Sequence, residues 1–333
     1  MKEIQSIISH LAATNGAEPG VLATLVTVSG SSYRRPGARS LITAAGLRLG
    51  SISGGCLEED VMARARRVSA TGRPELALYD TTTENDLVWG VGLGCHGVVQ
   101  VLLEKLPPRP RWAGTLAENM RSHLPTTLAV VWQAADPSLL GTRLENELPS
   151  LASADGIFID HVAPPVRLLV FGAGDDAQPL ARLAKDLGWH VTIADPRPDF
   201  ATTARFPSAD ALVVGPAKQL LARAAPPPDA LAVVMTHHYV HDVPLLRDLL
   251  AGPFPYIGLL GPRQRAERIL SDLERGGLNL PTEARARLHA PVGLDLGANT
   301  PEEVALSIIA EMRAALSARD GRPLRDRRAA IHA

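Results

Sequence analysis

The run Leu168-Leu169-Val170-Phe171, followed at once by Gly172-Ala173-Gly174 and then Asp175-Asp176-Ala177, restricts the fold more than any other stretch of this chain. It reads as a buried strand, a glycine turn and the start of a helix. Gly172 permits the tight turn, Gly174 lets a pyrophosphate approach the backbone, and Ala177 fills the third small position, where helix and strand pack closely. Asp195 stands 21 residues beyond Gly174, at the end of the next apolar run. A carboxylate there accepts hydrogen bonds from a ribose 2′-hydroxyl and favours NAD over NADP. Asp175 and Asp176 work against a nucleotide, because they suit the positive end of the helix themselves and repel a pyrophosphate.

Short apolar runs recur at residues 191–194, 211–214, 232–235 and 256–259, and a helix is expected behind each. Strand and helix in alternation predict an α/β, Rossmann-like doubly wound parallel sheet, with the glycine turn either an NAD site or kept for its shape. The last helix is expected to start near Thr300, a good N-cap, with Pro301 at the first helical position and Glu303 completing a capping box.

At 333 residues the chain exceeds one typical core. Pro164-Pro165 excludes regular structure just ahead of the glycine-turn strand. The division expected is an N-terminal domain over residues 1–163, the Rossmann-like domain over 164–320 and a C-terminal tail over 321–333. In the first part residues 3–13 read as a helix. Strands are expected at 21–28, 40–43, 76–79, 98–103 and 128–132, and a helix near Cys56 carries Leu57, Val61, Ala65 and Val68 on one face. That is also an α/β pattern, one whose strand order does not follow from periodicity.

A net charge of −1 and a pI near 6.8 argue against a nucleic-acid partner, which calls for a basic surface. Two cysteines, Cys56 and Cys95, neither in a CxxC pair, exclude a disulfide scaffold and fit a reducing compartment. No run approaches the ~18 apolar residues of a spanning helix, and the N-terminus has no apolar leader segment. The expectation is a cytoplasmic protein without a membrane partner, and a homodimer as the commonest assembly.

Three loops carry chemistry. Ser53-Gly54-Gly55-Cys56-Leu57-Glu58 places a thiol where a glycine turn enters a helix, a setting that favours the thiolate, against which Glu58, Glu59 and Asp60 crowd the first turn. A small buried cysteine is the other reading. Gly90-Val91-Gly92-Leu93-Gly94-Cys95-His96-Gly97 has four glycines in eight residues and lets the backbone approach a ligand closely. Gly30-Ser31-Ser32-Tyr33-Arg34-Arg35-Pro36-Gly37-Ala38-Arg39 joins hydroxyls, arginines and glycines, which suits a phosphate, although a solvated basic turn looks the same in sequence. A fourth stretch, Thr236-His237-His238-Tyr239-Val240-His241-Asp242, follows an apolar strand, where α/β proteins face their ligands. His237 and His241 at this spacing can share a helix face, as in metal sites, but no third ligand is evident. Contact with a bound cofactor, or a strand cap, are the readings preferred to metal.

The stretches GSSYRRPGARSLI, GSISGGCLEEDV, GLGCHGVVQVLLE, LLVFGAG, VVMTHHYVHDVPLL, YIGLLGPRQRAERI and GLDLGANTPEEVALSIIAE, in this order across nearly the whole chain, resemble the XdhC/CoxI family of xanthine dehydrogenase and carbon monoxide dehydrogenase accessory proteins. The resemblance implies an N-terminal XdhC/CoxI domain followed by a Rossmann-like domain. It implies a maturation chaperone rather than a metabolic enzyme: a protein that holds molybdenum cofactor, works with a cysteine desulfurase to give it a terminal sulfur, and delivers it to a xanthine-dehydrogenase-type molybdoenzyme. Cys56 and Cys95 would then contact the molybdenum or the transferred sulfur. Ser31, Ser32, Arg34, Arg35 and Arg39 are candidates for the pterin phosphate, with Gly54, Gly55 and Gly94 giving backbone approach and His237 a cofactor contact. The second glycine loop reads GCHG where the family usually shows GCGG, and the glycine turn reads GAGDDA where GAGHVA-like sequences are common.

Two rival functions remain at this level. One is an NAD-dependent oxidoreductase on the C-terminal domain, with His237 or His238 as proton donor. The other, ranked last, is a metal-dependent hydrolase on the histidine cluster.

Overall fold

The structure, a computed structural model, describes residues 1–14, 20–80, 97–148, 154–329 and 331. The chain forms two compact units, Met1–Pro165 and Val166–Ala333. No helix among the described residues is long and apolar enough to cross a membrane.

In the first unit α1 (Lys2–Ala13), β1 (Val21–Gly30), β2 (Arg39–Ile42), β3 (Arg48–Gly50), α2 (Glu58–Thr71), β4 (Glu75–Asp80) and β5 (Gly97–Lys105) follow in order. They precede α3 (Arg111–Arg121), β6 (Thr126–Gln133), β7 (Gly141–Leu144) and β8 (Gly156–Val162). One antiparallel sheet has the order β3-β2-β1-β5-β4 and a second has the order β7-β6-β8. Strand β1 is central and buried on both faces from Val21 to Val26, so its sequence is mostly apolar there rather than alternating. Val21, Ala23 and Leu25 pack with Leu57, Val61, Ala65 and Val68 around α2, so the helical spacing expected there is the core face. Leu22, from the opposite face of β1, packs with Ile7 of α1 and with Trp112 and Leu116 of α3. Helix α2 stops at Gly72, whose φ of +70° is the left-handed cap that glycine adopts without strain.

The second sheet was not legible from periodicity beyond β6. It is joined to the first by Arg39, which is 3% exposed. Arg39 Nη1 donates to the Gly37 carbonyl at 3.1 Å and to Asp160 Oδ2 on β8 at 2.6 Å. This corrects the expectation that Arg39 serves a phosphate: the residue begins strand β2 and its charge is spent inside the unit.

The second unit runs β9 (Arg167–Phe171), α4 (Ala177–Asp186), β10 (His190–Asp195), β11 (Ala211–Val214), α5 (Ala217–Ala224), β12 (Leu231–Val234) and α6 (Tyr239–Ala251). It continues through β13 (Tyr256–Leu259), α7 (Arg263–Arg275), α8 (Thr282–Ala286), β14 (Leu288–His289) and α9 (Pro301–Leu316). The strands form a parallel sheet in the order β11-β10-β9-β12-β13-β14, the doubly wound arrangement expected. Leu168 and Val170 of β9 face a cluster with α4 and α9, while Leu169 and Phe171 face one with α5, α6 and α7. Chain connections leave β9 towards β10 and return to β12, so the sheet has its switch point between β9 and β12. Thr300 and Glu303 make the capping box of α9, with Glu303 N donating to Thr300 Oγ1 and Thr300 N to Glu303 Oε2. One expectation fails. Residues 196–210, between β10 and β11, form turns rather than a helix, since Pro196 and Pro198 interrupt the backbone ladder a helix needs.

Replacing Asp160 by Ala leaves the Arg39 guanidinium buried without its counter-charge. The expected loss of stability is about 3–5 kcal/mol, measured by chemical denaturation; a loss below about 1 kcal/mol, typical of an exposed pair, would show that Arg39 is not the tie between the sheets.

Candidate functional site

In the first unit a cleft of about 270 Å³ is lined by Tyr33, Arg34, Arg48, Ser51, Ser53, Gly54, Gly55 and Glu58. Two of the three loops singled out by sequence therefore meet. A β-carbon placed on Gly54 would lie 3.7 Å from the Tyr33 ring, so the arginine loop and the glycine–cysteine loop are neighbours. The third loop, with Gly94, Cys95 and His96, lies outside the described residues apart from its last residue, Gly97. Gly97 opens β5 opposite Gly30, and a β-carbon there would fall 2.1 Å from the Ser31 carbonyl oxygen, so glycine alone fits.

The turn before Cys56 is organised by Glu58. This carboxylate, 5% exposed, accepts from Ser51 Oγ at 2.8 Å, from the Ser53 amide at 3.1 Å and from the Leu57 amide at 3.2 Å, with a further contact from Ser53 Oγ. Burial opposes its charge, yet the hydrogen bonds from Ser53 and Ser51 outweigh it and hold Glu58 below the usual carboxylate range. Ser53 Oγ also receives the Gly55 and Leu57 amides at 3.1 and 3.2 Å. Cys56 follows on this braced turn as a free, exposed thiol just before α2, which overturns the buried-cysteine reading. Arg34 is held in a two-point contact by Glu3 of α1, with Nη1 to Oε1 at 2.8 Å, and that hydrogen bond raises its affinity for its proton. Ser31 and Arg35 are exposed and Ser32 is half-buried. Exposed thiol, hydroxyls, glycine backbone and guanidinium groups are the donor set that a phosphate-bearing ligand with a thiophilic metal calls for. Arg48 escaped the sequence reading. It enters the cleft because β3 pairs with β2, and no local motif announces it.

In the second unit the glycine turn and the histidine stretch converge at the switch point. Gly172 has φ +115°, and a β-carbon there would lie 2.4 Å from the Met235 carbonyl, so the turn after β9 packs directly on the end of β12. His237, in a left-handed backbone with φ +59°, places Nε2 2.7 Å from Asp176 Oδ2. Behind it Asp242, 1% exposed, accepts from Thr236 Oγ1 at 2.5 Å and pairs with Arg265 of α7. His237 lies ahead of α6 rather than on it, so it does not share a helix face with His241; the ring near His241 is that of His238, 5.3 Å away. Among the described residues no three His, Cys, Asp or Glu side chains are grouped to hold a metal.

Asp195 departs from expectation. It is fully buried, with Oδ2 accepting from the Ala173 amide at 2.7 Å and from Arg197 Nη2 at 2.8 Å, and Oδ1 from the Arg197 amide and Nε at 2.8 and 2.9 Å. Burial works against its charge, but the bonds from Arg197 and the two amides prevail and keep the carboxyl low. Both oxygens are engaged by the protein, so the ribose role read from spacing is not available to it. Arg197, which takes them, stacks on Phe200 at 3.8 Å.

The family model described as the XdhC and CoxI family matches residues 13–80, across the arginine and glycine–cysteine loops, and that of the XdhC Rossmann domain matches 168–312. A Bacillus subtilis protein named as a probable xanthine dehydrogenase subunit is 37% identical over 320 residues, covering 89% of this chain and 92% of that protein. The chain belongs to the XdhC and CoxI family. Another relative, the Escherichia coli molybdenum cofactor insertion chaperone PaoD, is 26% identical over 88% of this chain and 82% of its own. A crystal structure described as a xanthine dehydrogenase from Bacillus halodurans superposes with a TM-score of 0.80 at 30% identity, over 97% of this chain and 99% of that one. In this XdhC and CoxI family member both units thus follow a fold already seen in a solved structure.

Asp176 raises the His237 pKa chiefly through its hydrogen bond, against a smaller opposing effect of burial. The pair's contribution to stability is therefore complete below the ordinary histidine value of about 6.5 and is lost as pH rises through the higher folded-state value. NMR titration should find the His237 imidazole above 6.5, and Asp176→Asn should bring it down; an imidazole already at or below that value in the parent protein contradicts the pairing.

Proposed function

We propose that this protein is an accessory factor that binds molybdenum cofactor and delivers it to a xanthine-dehydrogenase-type molybdoenzyme, with the cofactor carried as cargo in the first unit. The observation that carries the reading is the exposed Cys56 thiol on a turn braced by Glu58, beside a cleft walled by Arg34 and Arg48. Thiolates are soft ligands suited to molybdenum and its sulfur, while guanidinium forks suit a phosphate. Similarity to a relative named as a molybdenum cofactor insertion chaperone supports the same role.

Ser31, Ser32, Arg34, Arg35 and Arg48 are assigned to the pterin phosphate, Gly54 and Gly55 to close backbone approach, and Cys56 to the molybdenum or its sulfur. Cys95 and Gly94 keep the same proposed roles. Arg39 is withdrawn because it is buried against Asp160, and His237 because its Nε2 is engaged by Asp176. Sulfuration of the bound cofactor, with a cysteine desulfurase as the sulfur source, is the finer part of the proposal. The NAD-dependent oxidoreductase reading draws no support from Asp195, whose oxygens are taken.

The test is retention of free molybdenum cofactor through anaerobic gel filtration by the parent protein and by Cys56→Ala. Retention by the parent and loss in the variant are expected. Equal retention by both would demote Cys56 to structure, and no retention by the parent would refute cofactor binding.

A further inference from the structure

Tyr33 is one wall of the first unit's cleft, and no contact among the described residues accounts for its presence there. The residue is 68% exposed, and its hydroxyl has no hydrogen-bond partner among the described residues. A tyrosine that completes a fold buries its ring and finds a partner for its hydroxyl, as Tyr79 and Tyr256 do here. The ring of Tyr33 instead faces a space of about 270 Å³ that Arg34 and Arg48 also line.

The residue against this ring is a glycine. A β-carbon on Gly54 would lie 3.7 Å from both Cγ and Cδ1 of Tyr33, so any side chain at position 54 starts in contact with the ring. The backbone does not ask for glycine there. Gly55 has φ +117° and needs it, whereas Gly54 lies outside the left-handed region. The missing side chain at Gly54 therefore does nothing for the turn, and its effect is to keep the space beside the ring open. The two arginines differ as well. Arg34 is engaged by Glu3, with Nη1 donating to Oε1 at 2.8 Å, while Arg48 has no ion pair among the described residues.

The cleft thus offers an uncovered aromatic ring and a guanidinium with its donors free. An aromatic side chain holds a conjugated heterocycle by stacking, and a guanidinium holds a phosphate. A ligand with phosphate alone would use the arginines and leave Tyr33 idle, whereas a pterin that carries a phosphate uses both. We propose that Tyr33 is the stacking platform for the pterin ring of the cofactor, with Gly54 keeping the space beside it open. The inference rests on the cofactor-binding reading of the first unit, and adds to it the residue that tells a pterin from a bare anion.

The experiment compares the parent, Tyr33→Ala, Tyr33→Phe and Gly54→Val as full chains, with thermal unfolding to confirm that each is folded. Anaerobic gel filtration reads retention of free molybdenum cofactor. Fluorescence titration with xanthopterin, a pterin lacking both metal and phosphate, reads stacking directly, because a pterin against a tyrosine ring loses emission. Tyr33→Ala should weaken cofactor binding by about tenfold and remove the quenching of xanthopterin. Tyr33→Phe, which keeps the ring, should restore both. Gly54→Val should weaken both although the tyrosine is present. Retention of cofactor by Tyr33→Ala equal to that of the parent would overturn the platform and leave the cofactor reading standing. Binding by Tyr33→Phe as weak as by the alanine variant would also overturn it, since the hydroxyl and not the ring would then be the contact. No retention of cofactor by the parent would remove both the cofactor reading and the platform built on it.

Discussion

Glu58 accepts the hydroxyl of Ser51 and the amides of Ser53 and Leu57, and on this one carboxylate the shape of the first unit's site depends. Without it the turn Ser53-Gly54-Gly55-Cys56 would have glycine freedom and no fixed course. With it, the thiol leaves a defined turn just ahead of α2, and the serines that brace the turn also line the cleft. A buried carboxylate is tolerable only when its lone pairs are met, and here donors from the preceding loop, Ser51, Ser53 and Leu57, meet them.

The same device recurs in the second unit with a different result. Asp195 accepts the Ala173 amide and so pins the glycine turn to the end of β10, while Asp242 pins Thr236 and Arg265 at the end of β12. These contacts fix the two sides of the switch point, and the Asp176–His237 pair spans them. In a nucleotide-binding protein of this fold the ligand would bridge that gap. Here side chains do so, which explains how a turn with the right glycines carries two aspartates without being incoherent.

Most of the fold was legible in the sequence. The second unit's strands announce themselves as short apolar runs because a parallel sheet is buried on both faces, and the glycine turn and the Thr300–Glu303 box mark where helices begin. The failures have physical causes. Asp195 sits at the right spacing for a ribose contact, but spacing does not reveal that Arg197, two residues on, folds back onto it. Arg39 looked like a member of a basic loop because its partner, Asp160, is 121 residues away on a strand with no strong periodicity of its own. In the candidate site the cysteine turn and the arginine loop were evident from composition, whereas Arg48 is brought in only by strand pairing and Glu58 read as a charge crowding the thiol rather than as the clamp of its loop.

Membership in the XdhC and CoxI family rests on similarity along nearly the whole chain, while the seat of the cofactor rests on the convergence of two loops in the first unit. The most direct measurement is the rate at which Cys56 is alkylated, followed by mass spectrometry, in the presence and absence of molybdenum cofactor. If the cleft beside Cys56 seats the cofactor, this exposed thiol should react readily in the free protein and be strongly protected when cofactor is bound. Alkylation at the same rate with cofactor demonstrably bound would place the cofactor elsewhere in the molecule.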